Sequence, residues 1–539
     1  MRTATFILLG VVIVPLFGPG LAAVRGVSVA HFAEWDRFAR LASNSAALAA
    51  LACLVAVPTG ACAALALERF PFRGAGLVRS LVVAALFVPL PVTAVAWQVI
   101  LGSWPALAPG EIAWRPWSQG LLPAGVVHGA AGWPWVVVIV TESLRRSDPR
   151  LEEEALVSGG PATLFRRVLG PRLLLGSLAG GAWVSLQTLA EIAVTDAMMV
   201  RTFAEEVYTQ LVGASDGVGA TLAATVPPGL LTLAVALVVA RRAVARLAEP
   251  GGESGPAPVI AWPAWCRAVG VVTLLGAVAG FVVLPVAALV WTAGGGANRG
   301  GWSLDAFAGG CAKVARTDGR ILAVSWAESA VAGVIAVSLA LVAARSAARS
   351  RPLLAGVVAV AVLLAVTPGP VVGLGLKQAI GVLVDVEATA CERLGVAPDF
   401  PPLRSALYDQ PSPLPAIWAC VTRFFPLALV IVMPVFFAVP RELREAARLD
   451  GLTAWDEWRR VTWPAARSAA VVAVVAVTAL SLGEVSASKL VNPPSHSAFV
   501  LRLFDQMHYG AETTVAALAL MPLVPALVMA VAVTGRVRR

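Results

Sequence analysis

Charge is scarce in this 539-residue chain: Asp, Glu, Lys and Arg make up 14% of it, against 58% hydrophobic residues. A water-soluble domain carries about 25% charged residues, so most of this sequence cannot be the surface of such a globule. Histidine is rarer still. His31, His128, His496 and His508 are the only four, and they are too scattered to make a metal site; no Ser/His/Asp or metalloprotease pattern accompanies them. The chain also lacks a G-x-x-x-x-G-K-[ST] loop, which excludes the usual cradle for nucleotide phosphates. The six cysteines, Cys53, Cys62, Cys266, Cys311, Cys391 and Cys420, follow no ligand spacing. The net charge of +9 is dispersed over many short loops rather than gathered in a patch, so no nucleic-acid partner is expected.

What is abundant is apolar sequence of helix-spanning length. A mean hydropathy of +0.80 places the chain in a lipid bilayer. Spanning helices need about 20 mostly apolar residues, and twelve such runs occur. Six lie near 5–24, 46–67, 80–101, 124–141, 174–195 and 220–240, and six near 267–292, 326–344, 353–374, 415–438, 468–487 and 514–534. The runs are too long and too uniformly apolar for the alternation of barrel strands. The expected fold class is therefore an all-α polytopic membrane protein.

Arginine sets the orientation. With both termini cytoplasmic, the inside loops hold Arg69, Arg73, Arg79, Arg145, Arg146, Arg166, Arg167, Arg241 and Arg242, then Arg345, Arg349, Arg351, Arg441, Arg444, Arg459, Arg460 and the basic C-terminus. Lys313, Arg316 and Arg320 cluster in an expected exterior loop. Cys311 and Cys391 also fall in exterior loops, where a disulfide is chemically possible. Residues 1–24 have the outline of a signal peptide, with Arg2 and the small-residue run at Leu21, Ala22 and Ala23. The run at 267–292 holds the matching place in the second half, so the first run is read as a retained helix. The Pro- and Gly-rich stretch 244–265 reads as a cytoplasmic linker between halves 1–243 and 266–539. Six spans per half is an even number, so the two halves form a parallel repeat.

One polar loop is duplicated. The segment EEEALVSGGPATLFRRVLGP from Glu152 to Pro171 reappears as EAARLDGLTAWDEWRRVTWP from Glu445 to Pro464, in each half between the fourth and fifth spans. Without gaps, Glu152 falls on Glu445, Leu156 on Leu449, Arg166 and Arg167 on Arg459 and Arg460, and Pro171 on Pro464. Local rules predict the same plan twice. Asp148 caps a helix that has Pro149 in its first turn, and Gly159 with Gly160 breaks it. In the second copy Glu442 and Glu445 favour a helix start after Pro440, Gly451 ends it, and Thr453 caps a second helix with Asp456 three residues on.

The pattern Glu445, Ala446, Ala447, then Gly451 and Pro464 resembles the signature of permease subunits of binding-protein-dependent ABC importers. The resemblance implies a type I importer permease fold, with each loop a coupling helix that enters a groove of an ATP-binding subunit. Two copies of that subunit on the cytoplasmic side, an external binding protein, an inner-membrane location and no cofactor on this chain follow, with ATP used by the partners. In the first copy Ser158 replaces the glycine; sliding by one residue restores Glu153, Ala155 and Gly159 but shortens the spacing to Pro171. Changes at Gly451 or Glu445 are therefore expected to cost more than those at Gly159 or Glu152. The fused arrangement and the segments TLAEIAVTDAMMVRTFAEEVYTQL and SLGEVSASKLVNPPSHSAFVLRLFDQMHYG resemble the ferric-iron and thiamine branch. Spermidine, sulfate and phosphonate permeases share the architecture more loosely. An ion-driven secondary transporter is the rival from another class.

Acids at span edges are candidates for function. Glu191 and Glu484 are pseudo-equivalent, as are Asp196 and Lys489. The Glu pair is read as lining the outer end of the pathway and Asp196 with Lys489 as a closing contact; the alternative is that all four are solvated at headgroup level. Arg423 is expected to snorkel to the exterior surface. Trp97, Trp104, Trp114 and Trp117 read as an interfacial belt, with a docking surface for the binding protein as the alternative.

Overall fold

The structure is a computed structural model and describes residues 10–19, 35–103, 117–212, 260, 262–296, 301–395, 401–493, 496–507 and 512–537; all regular structure among them is helical. The principal helices are α1 Gly10–Pro19, α2 Trp35–Arg69, α3 Ala75–Leu86, α4 Leu90–Ser103, α5 Leu121–Arg145, α6 Pro149–Leu164 and α7 Gly170–Ala190. They continue with α8 Ala264–Ala293, α9 Leu304–Ala347, α10 Arg351–Val366, α11 Gly369–Leu394, α12 Leu414–Ala438, α13 Arg441–Leu449, α14 Trp463–Leu482, α15 Glu512–Leu520 and α16 Leu523–Val537. Among the described residues, eight helices are long and apolar enough to cross a bilayer, or up to ten if each of two bent pairs is one span. The expected span 220–240, most of the linker and the flanks of the first span lie outside the described residues.

Two expected spans are not straight helices. The run at 80–101 is α3 and α4 meeting at 104°, and the run at 353–374 is α10 and α11 meeting at 109°. Proline explains both corners. Pro89 and Pro91 flank Leu90, and Pro368 and Pro370 flank Gly369. Neither proline of a pair donates to the helix ladder, and the first of each disfavours α geometry in the residue before it. Thr367 accordingly takes an extended ψ of 124°. The cluster Lys313, Arg316 and Arg320 corrects another expectation, since it lies exposed on the 44-residue helix α9 rather than in a loop.

The chain forms two compact units, and neither is contiguous. One comprises Met1–Arg40, Phe203–Pro250 and Ile321–Leu501; the other comprises Leu41–Thr202, Gly251–Arg320 and Arg502–Arg539. Within the first, Val372, Leu376, Ala419, Ala487 and Val491 form a buried cluster that Leu16 and Trp418 pack against. The Trp418 indole N–H also donates to the Val11 carbonyl at 2.9 Å. Within the second, α5 combines the fully buried Trp133, edge-on to Phe281, with close backbone approach at glycines. A Cβ on Gly129 would stand 2.6 Å from Val55 Cβ on α2, and one on Gly176 would stand 2.9 Å from Val140 Cα. Hydrocarbon provides no hydrophobic drive between helices, so van der Waals contact through small residues supplies it.

That packing makes a direct prediction. Gly129→Leu should destabilise the protein by about 1–3 kcal/mol through overpacking. Gly276→Leu, where an added Cβ meets nothing within 4 Å, should leave the thermal midpoint of the detergent-solubilised protein unchanged.

Candidate functional site: two elbow loops and a buried charge at a helix bend

The first loop starts as its sequence dictates. The Asp148 carboxylate accepts the Arg150 N–H at 2.9 Å, and Pro149 occupies the first helical turn of α6. Glu153 and Glu154 are exposed while Ala155 is buried. The helix breaks at the expected glycine pair, but the two differ. Gly159 has an extended φ of −172°, whereas Gly160 has φ 70° and ψ −165°, a region nearly closed to other residues. A π turn, Phe165–Leu169, carries the exposed Arg166 and Arg167 into α7, with Pro171 at its start.

The second loop repeats the plan. Helix α13 ends in left-handed Gly451, φ 74°. Leu452 N–H returns to the Ala447 carbonyl at 3.0 Å, the six-to-one bond of a glycine C-cap. The Thr453 hydroxyl accepts Asp456 N–H at 3.2 Å and caps the short helix Ala454–Glu457. A π turn at Trp458–Thr462 again carries the arginine pair, Arg459 and Arg460, and Pro464 opens α14.

Exposure fixes the register between copies. Leu151 and Leu443 are 53% and 54% exposed, Val157 and Leu449 are 90% and 88% exposed, and Ala155 and Ala447 are both buried. Glu153 therefore matches Glu445, and both are exposed, as is Ala446. The ungapped pairing of Glu152 with Glu445 is corrected. Glu152 is buried, and its carboxylate receives two hydrogen bonds from Arg69 at the end of α2, Nη1 to Oε2 and Nη2 to Oε1, both 2.7 Å.

The second loop is gripped elsewhere. Glu457, buried, receives Arg349 at 3.2 Å and Arg345 at 3.8 Å from the end of α9 and the turn that follows it. The Arg345 guanidinium also donates to the Ala454 carbonyl and lies 5.0 Å over the Trp458 ring, which stacks on Phe436. Arg444, which takes the place of Glu152 in the matched register, donates to the carbonyls of Phe436 and Val439 at 2.9 Å.

Among the span-edge acids, both glutamates are buried, which removes the solvated alternative for that pair. Glu191 accepts the N–H groups of Ile192 and Ala193 at 3.0 and 2.9 Å, where α7 ends. Glu484, beyond α14, accepts Ala487 N–H at 2.6 Å and pairs with Arg423 Nε at 3.2 Å. Arg423 is thus no surface snorkel. It is buried on α12, and its Nη1 donates to the Thr367 carbonyl at the α10–α11 corner at 3.3 Å. Lys489 Nζ lies 5.8 Å over the Tyr208 ring; Asp196 belongs to the other compact unit.

Other expectations resolve simply. All six cysteines are free thiols in the structure, Cys311 and Cys391 among them. No cluster of metal-ligating side chains occurs among the described residues. His128 is buried on α5 and His496 Nε2 stands 3.4 Å from Glu328, whereas His31 and His508 lie outside the described residues. Trp97 is buried in a core cluster with Leu48 and Met198 rather than in a belt; Trp104 and Trp114 are outside the described residues.

No curated protein matches the sequence. Residues 336–539 match the family described as binding-protein-dependent transport system inner membrane component. That stretch holds the second elbow loop, the α10–α11 corner and the Arg423–Glu484 pair. Over that stretch, this multi-pass membrane protein is similar to the permease components of binding-protein-dependent transport systems.

Proposed function

We propose that the chain carries both permease halves of an ABC importer. It moves substrate delivered by an external binding protein across the inner membrane by alternating access. Ferric iron is the proposed cargo, on the resemblance of the segments after α7 and α14 to the iron and thiamine branch. Two ATP-binding subunits on the cytoplasmic side drive it; the chain hydrolyses nothing itself.

The observation that carries this reading is the pair of elbow loops. Each presents a matching pair of exposed apolar residues, Leu151 and Val157 in one, Leu443 and Leu449 in the other, on the helix that leads into a glycine with positive φ, Gly160 or Gly451. Exposed aliphatic side chains on a charged helix outside the spans mark a contact surface. The arginine bias of the sequence puts both loops in the cytoplasm, where the ATP-binding partner is. Glu191 and Glu484 remain the proposed pathway acids, with Asp196 and Lys489 as the proposed closing contact.

Purified chain should capture two copies of its ATP-binding subunit, and vesicles holding that complex should take up ferric iron when the external binding protein and ATP are supplied. Iron uptake displaced by thiamine, spermidine, sulfate or phosphonate would reassign the cargo, and a complex that transports without any ATP-binding subunit would end the ABC reading. The elbow glycines give a second test. Gly160 occupies the more restricted backbone region, so Gly160→Ala should lower uptake more than Gly451→Ala, the reverse of the order expected from motif quality. The third concerns the buried charges. Glu484→Gln leaves Arg423 uncompensated and should cost about 3–5 kcal/mol of stability, whereas joint replacement of Arg423 and Glu484 by leucine should cost less. Unaltered uptake in both Glu191→Gln and Glu484→Gln would reject the pathway role.

A further inference from the structure

The two loops are built to one plan yet fastened to the rest of the protein at different points. In the first, the fastening precedes the elbow: Glu152, in the opening turn of α6, takes both terminal nitrogens of Arg69. In the second, it follows the elbow: Glu457, at the end of the short helix after Gly451, takes Arg345 and Arg349. These acids do not occupy equivalent places. The position matching Glu152 is Arg444, a cation that donates to backbone carbonyls at the end of its own preceding span, and the position matching Glu457 is the fully buried Leu164. The cationic partners, in contrast, are alike in place, since Arg69 and Arg345 stand in the last turn of a long helix, α2 or α9, and Arg349 lies just beyond α9.

The end of α2 is itself tied down. Glu68, next to Arg69, pairs with Arg79 of α3 and Arg145 of α5 at 3.0 Å each. A bidentate, desolvated Arg–carboxylate pair fixes orientation as well as distance. A displacement of α6 before its elbow is therefore passed to α2, and through Glu68 to α3 and α5. In the second loop the position matching Glu152 carries no acid, and the corresponding connection runs from Glu457, after the elbow, to Arg345 of α9 and Arg349 beyond it.

We infer that Arg69 with Glu152, and Arg345 and Arg349 with Glu457, are positioning residues that couple each loop to its long helix on opposite sides of the elbow. The first loop is steered through its leading helix and the second through its trailing one. This rests on the reading of the loops as docking points for the ATP-binding subunits, and it deepens that reading by naming the internal path that carries the motion.

Two measurements separate the inference from the reading beneath it. Amide exchange on the full chain in nanodiscs, without partners, tests the fastening alone. Glu152→Gln should speed exchange in residues 149–158 and leave 441–449 unchanged, whereas Glu457→Gln should speed exchange in 454–462 and leave 441–449 unchanged. Exchange that rises equally in both helices of a loop, or in neither, overturns the inference.

The second measurement compares ATP hydrolysis with uptake in the complex reconstituted with binding protein and ATP-binding subunits. Glu152→Gln and Arg69→Gln should lower uptake about tenfold while hydrolysis persists, a coupling loss of ordinary allosteric size. The exchanged pair Arg69→Glu with Glu152→Arg should restore the ratio. A parallel fall in hydrolysis and uptake, or an exchanged pair no better than the single changes, overturns it. Should the single variants fail to accumulate, the exchanged pair decides: accumulation with normal coupling bears the inference out, and accumulation without coupling overturns it. A wild-type complex that never hydrolyses ATP refutes the docking reading instead, and leaves the amide-exchange result to judge the fastening.

Discussion

Hydrocarbon offers no partner to a polar group, and the architecture follows from meeting that constraint wherever a span is interrupted. The corner between α10 and α11 opens the backbone at Thr367, because Pro368 and Pro370 cannot donate. Arg423 fills that gap by donating to the Thr367 carbonyl. An arginine inside a span is costly on its own, so it is matched by Glu484, which in turn accepts the Ala487 N–H exposed where α14 has ended. One ion pair thus closes two breaks, Arg423 at the α10–α11 corner and Glu484 beyond the end of α14. Glu191 serves the same need in the other unit by accepting the N–H groups of Ile192 and Ala193. The charges within the spans are explained first by these breaks; any role in a pathway is built on top of them.

The loops face the same constraint with water close by. Their helix ends are satisfied locally, by Asp148, by Thr453 and by the return of Leu452 N–H over Gly451. What cannot be satisfied locally is orientation relative to the spans, and there each loop uses an ion pair to a buried glutamate, Glu152 or Glu457. Because such a pair gains little net stability over apolar packing, its presence at both loops argues for a demand on geometry rather than on folding free energy.

Features that rest on contacts a few residues apart were legible from the sequence. The caps, the glycine elbows and the position of Pro171 and Pro464 fall where turn chemistry puts them, and the apolar runs locate most spans within a few residues. Two corners were missed although Pro89-Leu90-Pro91 and Pro368-Gly369-Pro370 signalled them, because an uninterrupted apolar run hides a change of direction. Glu152 and Arg423 were misplaced for a different reason. Their partners are 83 and 61 residues away, and nothing in the local pattern names them. The ungapped alignment compounded the error, since the two elbows differ by one residue in length and only side-chain exposure reveals the correct register.

The inequality of the two loops has a physical precondition. Where two identical subunits form a symmetric pair, every residue sits in two places at once, and a change that suits one site is imposed on the other. A single chain with two loops is free of that requirement. An acid can be lost before one elbow and gained after the other, provided that each loop keeps one rigid link to a long helix and one glycine that only a Cβ-free residue fills easily. The conserved quantities between copies are then geometric: the exposed Leu151 and Leu443, Val157 and Leu449, the buried alanines, and the π turns under the arginine pairs. The side chain that transmits the load is the part left to vary, and it is at that part that the two copies differ.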